Sequence, residues 1–245
     1  DYGWMWECTD YFETEGGKVL LVSPMKLLKN DEKEKNQSIC FPVEFDEETC
    51  RMEIPDDYTF IDYGLDLYAP QTTVDAEGRR VMEAWLRMPK VTEEGWIGMF
   101  CSPRVVERKG RHIYFRMHPN IRDAYSKEIS LGEQDSGDGY MAVFDLETDE
   151  SVDIGGYVIS RKGNHICTDR SHVYPGFEGA HLISETPELK EGFHLEVLVD
   201  KNLIEVYVND GEYVISNAVY GIGDEITGSR KDREIRIYTT EETEK

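Results

Sequence analysis

Glu7 stands in Trp4-Met5-Trp6-Glu7-Cys8-Thr9-Asp10, a carboxyl group set between an aromatic residue and a cysteine. Acid catalysis of glycoside cleavage needs a carboxylic acid that keeps its proton near neutral pH, and apolar surroundings favour that form. Trp4, Met5, Trp6 and Cys8 predict such surroundings, and the indoles offer flat faces for a sugar ring. A second group runs from Ile61 to Thr72: two carboxylates (Asp62, Asp66), two phenols (Tyr63, Tyr68) and an amide (Gln71) near a strand end. That mixture of polar and aromatic groups suits a carbohydrate site. A third, Gly78-Arg79-Arg80-Val-Met-Glu-Ala-Trp85, is a turn leading into a strand that ends on a large ring. Each group also has a plain reading. Glu7 could sit on an edge strand beside core aromatics, the 61–72 stretch could be a tyrosine-rich strand and turn, and Trp85 could be a core residue.

The elements that must carry these groups read as strands. Period-2 alternation in short runs bounded by turn residues recurs along the chain, and convincing helical periodicity is almost absent. Strands are expected over 18–23 (ended by Pro24), 38–45, 51–54, 58–62, 80–86 and 96–101, with 30–36 as a charged loop. After a change of character around 114–124, strands follow over 140–145, 157–160, 165–168, 193–199, 203–208, 212–216 and 234–238. Asn209-Asp210-Gly211 is expected to turn the clearest hairpin. The pattern predicts an all-β sandwich, barrel or propeller.

Composition narrows the function classes. Lys and Arg number 27 against 50 Asp and Glu, a formal charge of −23, which repels phosphate backbones and anionic membranes. No nucleic-acid partner and no membrane partner is therefore expected, and no apolar run reaches eighteen residues. Five cysteines at spacings that match no zinc pattern predict reduced thiols and a cytoplasmic location. The six histidines lack ligand spacing, and the acidic clusters at 135–138 and 145–153 lack a calcium-loop pattern, so neither a metal nor another cofactor is expected.

Taken in order, the motifs resemble glycoside hydrolase family 32, the β-fructofuranosidases, which include invertases and sucrose-6-phosphate hydrolases. Trp6-Glu7-Cys8-Thr9-Asp10 resembles the family's W-E-C-P-D. Asp62-Tyr63-Gly64 through Tyr68-Ala69-Pro70-Gln71 resembles D-Y-G-x-D-F-Y-A-x-Q. Gly78-Arg79-Arg80 to Trp85 is similar to G-R-R-I with its following Trp, and Trp96-Ile97-Gly98 to Ser102-Pro103-Arg104 to W-x-G…P-R-E-L. Asp169-Arg170-Ser171 and Glu205-Val-Tyr-Val-Asn-Asp-Gly211 resemble elements of the family's C-terminal sandwich. Thr9 replaces a proline, Leu67 a phenylalanine, and Val105-Val106 a Glu-Leu pair.

The resemblance implies the last blades of a five-bladed β-propeller over residues 1–113, followed by a C-terminal β-sandwich over 114–245. It implies Glu7 as general acid/base of a retaining reaction on sucrose, sucrose 6-phosphate or short fructans. Asp62 would hydrogen-bond near Glu7 on the substrate side, Tyr68 and Trp85 would wall the fructosyl pocket, and Cys8 would lie beside the acid. Retaining hydrolysis needs a second carboxyl about 5–5.5 Å from the first. The family's nucleophile (W-M-N-D-P-N-G) and stabiliser (R-D-P) motifs are not found here, and Arg122-Asp123-Ala124 is no substitute. The expectation is therefore a C-terminal portion whose nucleophile lies in missing N-terminal sequence, completed by an N-terminal half or by self-association. The alternative is a non-catalytic carbohydrate-binding module derived from such an enzyme.

Overall fold

The computed structural model describes residues 2–30, 33–174, 176, 180–230 and 232–241. The fold is all-β, with 50% strand and 3% helix. The chain forms two compact units. The first comprises Asp1–Asp62, Asp66–Arg87 and Gly98–His118, and the second Tyr63–Leu65, Met88–Ile97 and Pro119–Lys245.

In the first unit the strands are β1 (Met5–Thr14), β2 (Gly17–Met25), β3 (Leu28–Asn30), β4 (Lys33–Lys35), β5 (Ile39–Asp46), β6 (Arg51–Glu53), β7 (Thr59–Phe60), β8 (Leu67–Val74), β9 (Arg80–Leu86), β10 (Met99–Phe100), β11 (Arg104–Lys109) and β12 (His112–Met117). One sheet has the order β1-β2-β5-β6 with β7 also on β5. A second has β10-β9-β11-β12 with β8 also on β9. In the first sheet the strand β2 is a run of buried residues from Val19 to Pro24, since β1 and β5 flank it and Leu20, Val22, Ile39, Phe41 and Val43 pack together.

Three expectations change here. β2 does not end at Pro24 but runs to Met25. Its last pair with β5 is Val22↔Ile39, so the proline lies beyond that ladder, where its missing N–H is not needed. The 30–36 stretch is no simple loop, because β3 and β4 pair as a hairpin, and residues 31 and 32 lie outside the described residues. The expected boundary after residue 113 falls inside β12, whose residues pair with β11 from Arg104↔Met117 to Lys109↔His112.

In the second unit the short helix α1 (Pro119–Ala124) precedes β13 (Lys127–Ile129), β14 (Tyr140–Asp145), β15 (Ser151–Ile154), β16 (Tyr157–Lys162), β17 (His165–Asp169), β18 (Ile183–Glu185), β19 (His194–Asp200), β20 (Leu203–Val208), β21 (Tyr213–Ala218), β22 (Ile226–Gly228) and β23 (Arg236–Thr239). A six-stranded sheet (β13-β23-β14-β19-β20-β21) and a five-stranded one (β18-β17-β16-β15-β22) share a single core. Alternate residues of β14 (Tyr140, Ala142, Phe144) and β20 (Ile204, Val206, Val208) meet Val152, Ile154, Ile159 and Ile166 in it. Each fully buried aliphatic side chain contributes about 1.5–3 kcal/mol relative to exposure. Asn209, Asp210 and Gly211 all have positive φ and close the β20–β21 hairpin as expected.

Several motif residues serve these units as structure. A Cβ on Gly64 would lie 1.9 Å from the Ser216 carbonyl oxygen, so only glycine lets this segment approach β21. Tyr63 stacks edge-on against Tyr213 at 5.4 Å, and Asn217 Nδ2 donates to the Gly64 carbonyl at 3.1 Å. Arg170 is buried, donates to the carbonyls of His181 and Ala218, and lies over the Tyr174 ring. Glu205 is buried and accepts from Ser216 Oγ at 3.0 Å. Arg122 forks onto Glu196 at 2.8 and 2.5 Å and reaches Asp210, which gives it a structural role.

Candidate active site

Glu7 lies on β1, where pairing with β2 proceeds regularly from Met5↔Met25 to Glu7↔Ser23, then shifts before Asp10↔Leu21. Within this bulge Cys8 takes a left-handed φ of 48°. A matching bulge interrupts β8 between Tyr68 and Gln71, with Ala69 at φ 53°. Bulges re-aim side chains, and these two bring Glu7 and Tyr68 together. The Tyr68 hydroxyl lies 2.8 Å from Glu7 Oε2 and 3.0 Å from the Ser23 carbonyl oxygen. Burial, followed by the hydrogen bond to Glu7, pushes the Tyr68 phenol well above its ordinary range, so it stays a proton donor.

Surrounding contacts fix both bulges. Asp10 Oδ2 accepts from the Thr72 amide at 2.8 Å and the Thr72 hydroxyl at 2.7 Å, tying β1 to β8 beyond the irregular stretch. Ser23 Oγ accepts from the Ala69 amide at 3.2 Å and pairs with Ser38 Oγ at 2.9 Å. The Arg87 guanidinium, whose pKa burial lowers, lies 5.0 Å over the Tyr68 ring and donates to the carbonyls of Asp66 and Asn36. Arg80 covers Phe12 at 4.9 Å. Ser23 and Arg87 carry no chemical signal in sequence, and only strand pairing shows their role. Asp10 closes the first motif and was visible there, without its partner Thr72.

The expected site residues separate. Glu7, Cys8 and Tyr68 come together, with the Cys8 carbonyl 3.5 Å from Gln71 Nε2. Trp85 stands directly opposite Tyr68 in the β8–β9 register and is 46% exposed, so it is not a core residue. Asp62 does not face the substrate side as expected. Its carboxylate forms an ion pair with Arg104 at 2.9 Å, and both side chains are fully buried. A buried carboxylate needs such a cation, and Arg104, the first residue of β11, supplies it. The apolar enclosure expected around Glu7 is also absent among the described residues. Trp4, Met5 and Trp6 are exposed, Trp6 stacking on Phe41 at 6.2 Å and Trp4 meeting the Lys26 ammonium at 5.7 Å. Glu7 lines neither of two cavities, one of about 710 Å³ in the first unit and one of about 840 Å³ in the second.

All five cysteines are free thiols, with Cys8 and Cys50 exposed. Among the described residues no cluster of three or more His, Cys, Asp or Glu is arranged to hold a metal ion. The acidic stretches cap turns instead: Asp135 Oδ1 accepts from the Gly137 amide, and Asp153 Oδ1 from the Gly156 amide.

Comparison with known proteins places this geometry. The model for the glycosyl hydrolases family 32 N-terminal domain matches residues 1–119, and that for the family 32 C-terminal domain matches residues 123–245. The chain belongs to glycosyl hydrolase family 32. It is 28% identical over 244 residues to a sucrose-6-phosphate hydrolase of Vibrio alginolyticus, a match covering 90% of this chain and 49% of the relative. To the Bacillus subtilis sucrose-6-phosphate hydrolase it is 27% identical over 241 residues, covering 88% and 49%. The chain thus spans about half the length of the curated relatives it matches. Its fold matches a Bombyx mori GH32 beta-fructofuranosidase with a TM-score of 0.79 at 22% identity, over 98% of this chain and 55% of that one. It matches a Lactobacillus gasseri sucrose-6-phosphate hydrolase with a TM-score of 0.81 at 17% identity, over 98% and 55%.

Proposed function

We propose that this chain is the acid/base-bearing part of a retaining β-fructofuranosidase that hydrolyses sucrose, sucrose 6-phosphate or short fructans. Glu7 is the general acid that protonates the departing glycosidic oxygen and the base that then activates water. Tyr68 holds its carboxyl, and Trp85 and Cys8 flank it. Asp62 acts from behind the site, through Arg104, by fixing the start of the segment that carries Tyr68. The observation that carries this reading is the Tyr68–Glu7 hydrogen bond, made between residues that each stand at the edge of a bulge. Its support is membership of a hydrolase family and likeness to sucrose-6-phosphate hydrolases.

The attacking carboxylate and the rest of the pocket wall are assigned to an N-terminal portion outside these 245 residues, on the same polypeptide or a separate one. In the same reading the two sheets of the first unit are blades of a propeller, the second unit is a β-sandwich, and the thiols suit a cytoplasmic location. The test is sucrose turnover by the complete protein and by its Glu7→Gln variant. General acid/base groups contribute about 10²–10⁴-fold, and a loss of that size with unchanged thermal unfolding is expected. Turnover unaffected by the substitution would remove Glu7 from the chemistry. Sugar binding without turnover, unchanged by supplying the N-terminal portion, would favour a non-catalytic carbohydrate-binding module.

A further inference from the structure

We infer that Phe100 extends the candidate site into a stacking platform for the sugar units beyond the scissile bond, so that the site discriminates neutral fructose oligosaccharides by length. This rests on the reading of Glu7 as acid/base. In the registers of the second sheet Tyr68 on β8 faces Trp85 on β9, and Trp85 faces Phe100 on β10. Directly opposed residues on adjacent strands project from the same face, so the three form one row. Strands lie about 4.8 Å apart, which puts Phe100 roughly 10 Å from Tyr68 across the sheet. With one sugar ring to each side chain of the row, the two rings of sucrose end at Trp85 and a third linked ring reaches Phe100.

Exposure gives the row a direction. Tyr68, hydrogen-bonded to Glu7, is 8% exposed, Trp85 46% and Phe100 69%. A terminal unit held for cleavage belongs at the covered end beside the acid, and the departing remainder belongs along the open end. The middle ring is supported. A Cβ on Gly98 would lie 2.7 Å from Trp85 Nε1, so the bare backbone at Gly98 packs against one edge of the indole and backs it there. A platform supported before binding loses less entropy when occupied. A single exposed phenylalanine needs no explanation. One aligned with a supported, half-exposed indole in a row that begins at a carboxyl–phenol pair is placed to stack the apolar face of a sugar ring.

The experiment measures kcat/KM of the complete protein on sucrose and on inulin-type tri- and tetrasaccharides, for the parent, Phe100→Ala and Phe100→Tyr. Loss of one stacked ring is expected to lower kcat/KM for the longer substrates by roughly threefold to tenfold in Phe100→Ala. Sucrose should change by less than about twofold, and Phe100→Tyr should restore the longer substrates, because a phenol presents the same face. Equal losses on all substrates would mean a structural role and overturn the inference, as would no change on any. A parent that cleaves no fructoside is a separate outcome, and it sinks the functional reading first and this one with it.

Discussion

The two units hold left-handed backbone in different ways. Among the described residues eight other than glycine have positive φ. In the second unit Asp149, Asn209 and Asp210 sit in turns, and their short polar side chains tolerate this conformation, while Leu65 lies in a bend. In the first unit Lys26 and Cys50 also sit in turns, but Cys8 and Ala69 lie inside strands. Neither residue type favours the left-handed region, which costs about 1–2 kcal/mol each. Each directly follows a candidate site residue, Glu7 and Tyr68. Strain at a turn tip follows from residue choice, whereas strain inside a strand persists only because neighbours over-determine it. Here those neighbours are Ser23, Asp10 and Thr72.

The largest effect should come from the buried pair beneath the site. Removing one partner of a sealed ion pair typically costs about 3–5 kcal/mol. Asp62→Ala should therefore lower the unfolding free energy measured in urea by that amount, and a double change to Asp62→Ala with Arg104→Met should recover part of it. A loss below about 1 kcal/mol would show that the first unit does not depend on this pair.

Tyr68→Phe should cost about 0.5–1.5 kcal/mol of stability for the lost hydrogen bond, and should lower turnover of the complete protein while Trp85 variants chiefly alter KM. The phenol also sets a pH window. Its pKa is raised on folding, so its contribution is complete below the ordinary tyrosine value of about 10 and is lost as pH climbs above it. Stability of the parent should fall more steeply than that of Tyr68→Phe above that pH, as read from denaturation midpoints.

The smallest effect tests the strain itself. Ala69→Gly should change stability by no more than about 1 kcal/mol, because relief of the left-handed φ offsets the added freedom of the unfolded chain. The same change in the second unit, Asp149→Gly, should do less, since aspartate already tolerates its turn. Parallel melting curves of the two variants decide whether the units differ as described.

Strands written as compact apolar runs between polar or turn residues were legible in sequence: β9, β14 and β20 fall at the expected bounds. The strands that carry the candidate site were not, because a bulge moves residues out of phase. Glu7 could be named from its motif, but the ten-residue β1 around it could not. β11 and β12 were passed over because charged residues crowd both, from Arg104 to Lys109 and from His112 to Arg116. Asp62 was misjudged because a carboxylate beside tyrosines reads as a ligand-facing group, and its partner lies forty-two residues later, on another strand. Trp4 and Trp6 read as an apolar wrapping, yet composition says nothing of which side of a strand meets solvent.

A phenol owns a single hydrogen, and Tyr68 has two oxygens within reach of it. With Glu7 ionised, that hydrogen turns to the carboxylate. With Glu7 carrying a proton, the carboxyl can donate to the phenol oxygen, and the hydrogen swings to the Ser23 carbonyl instead. Each arrangement gives the phenol hydrogen one acceptor, so the bond changes partner by rotation of a single hydroxyl.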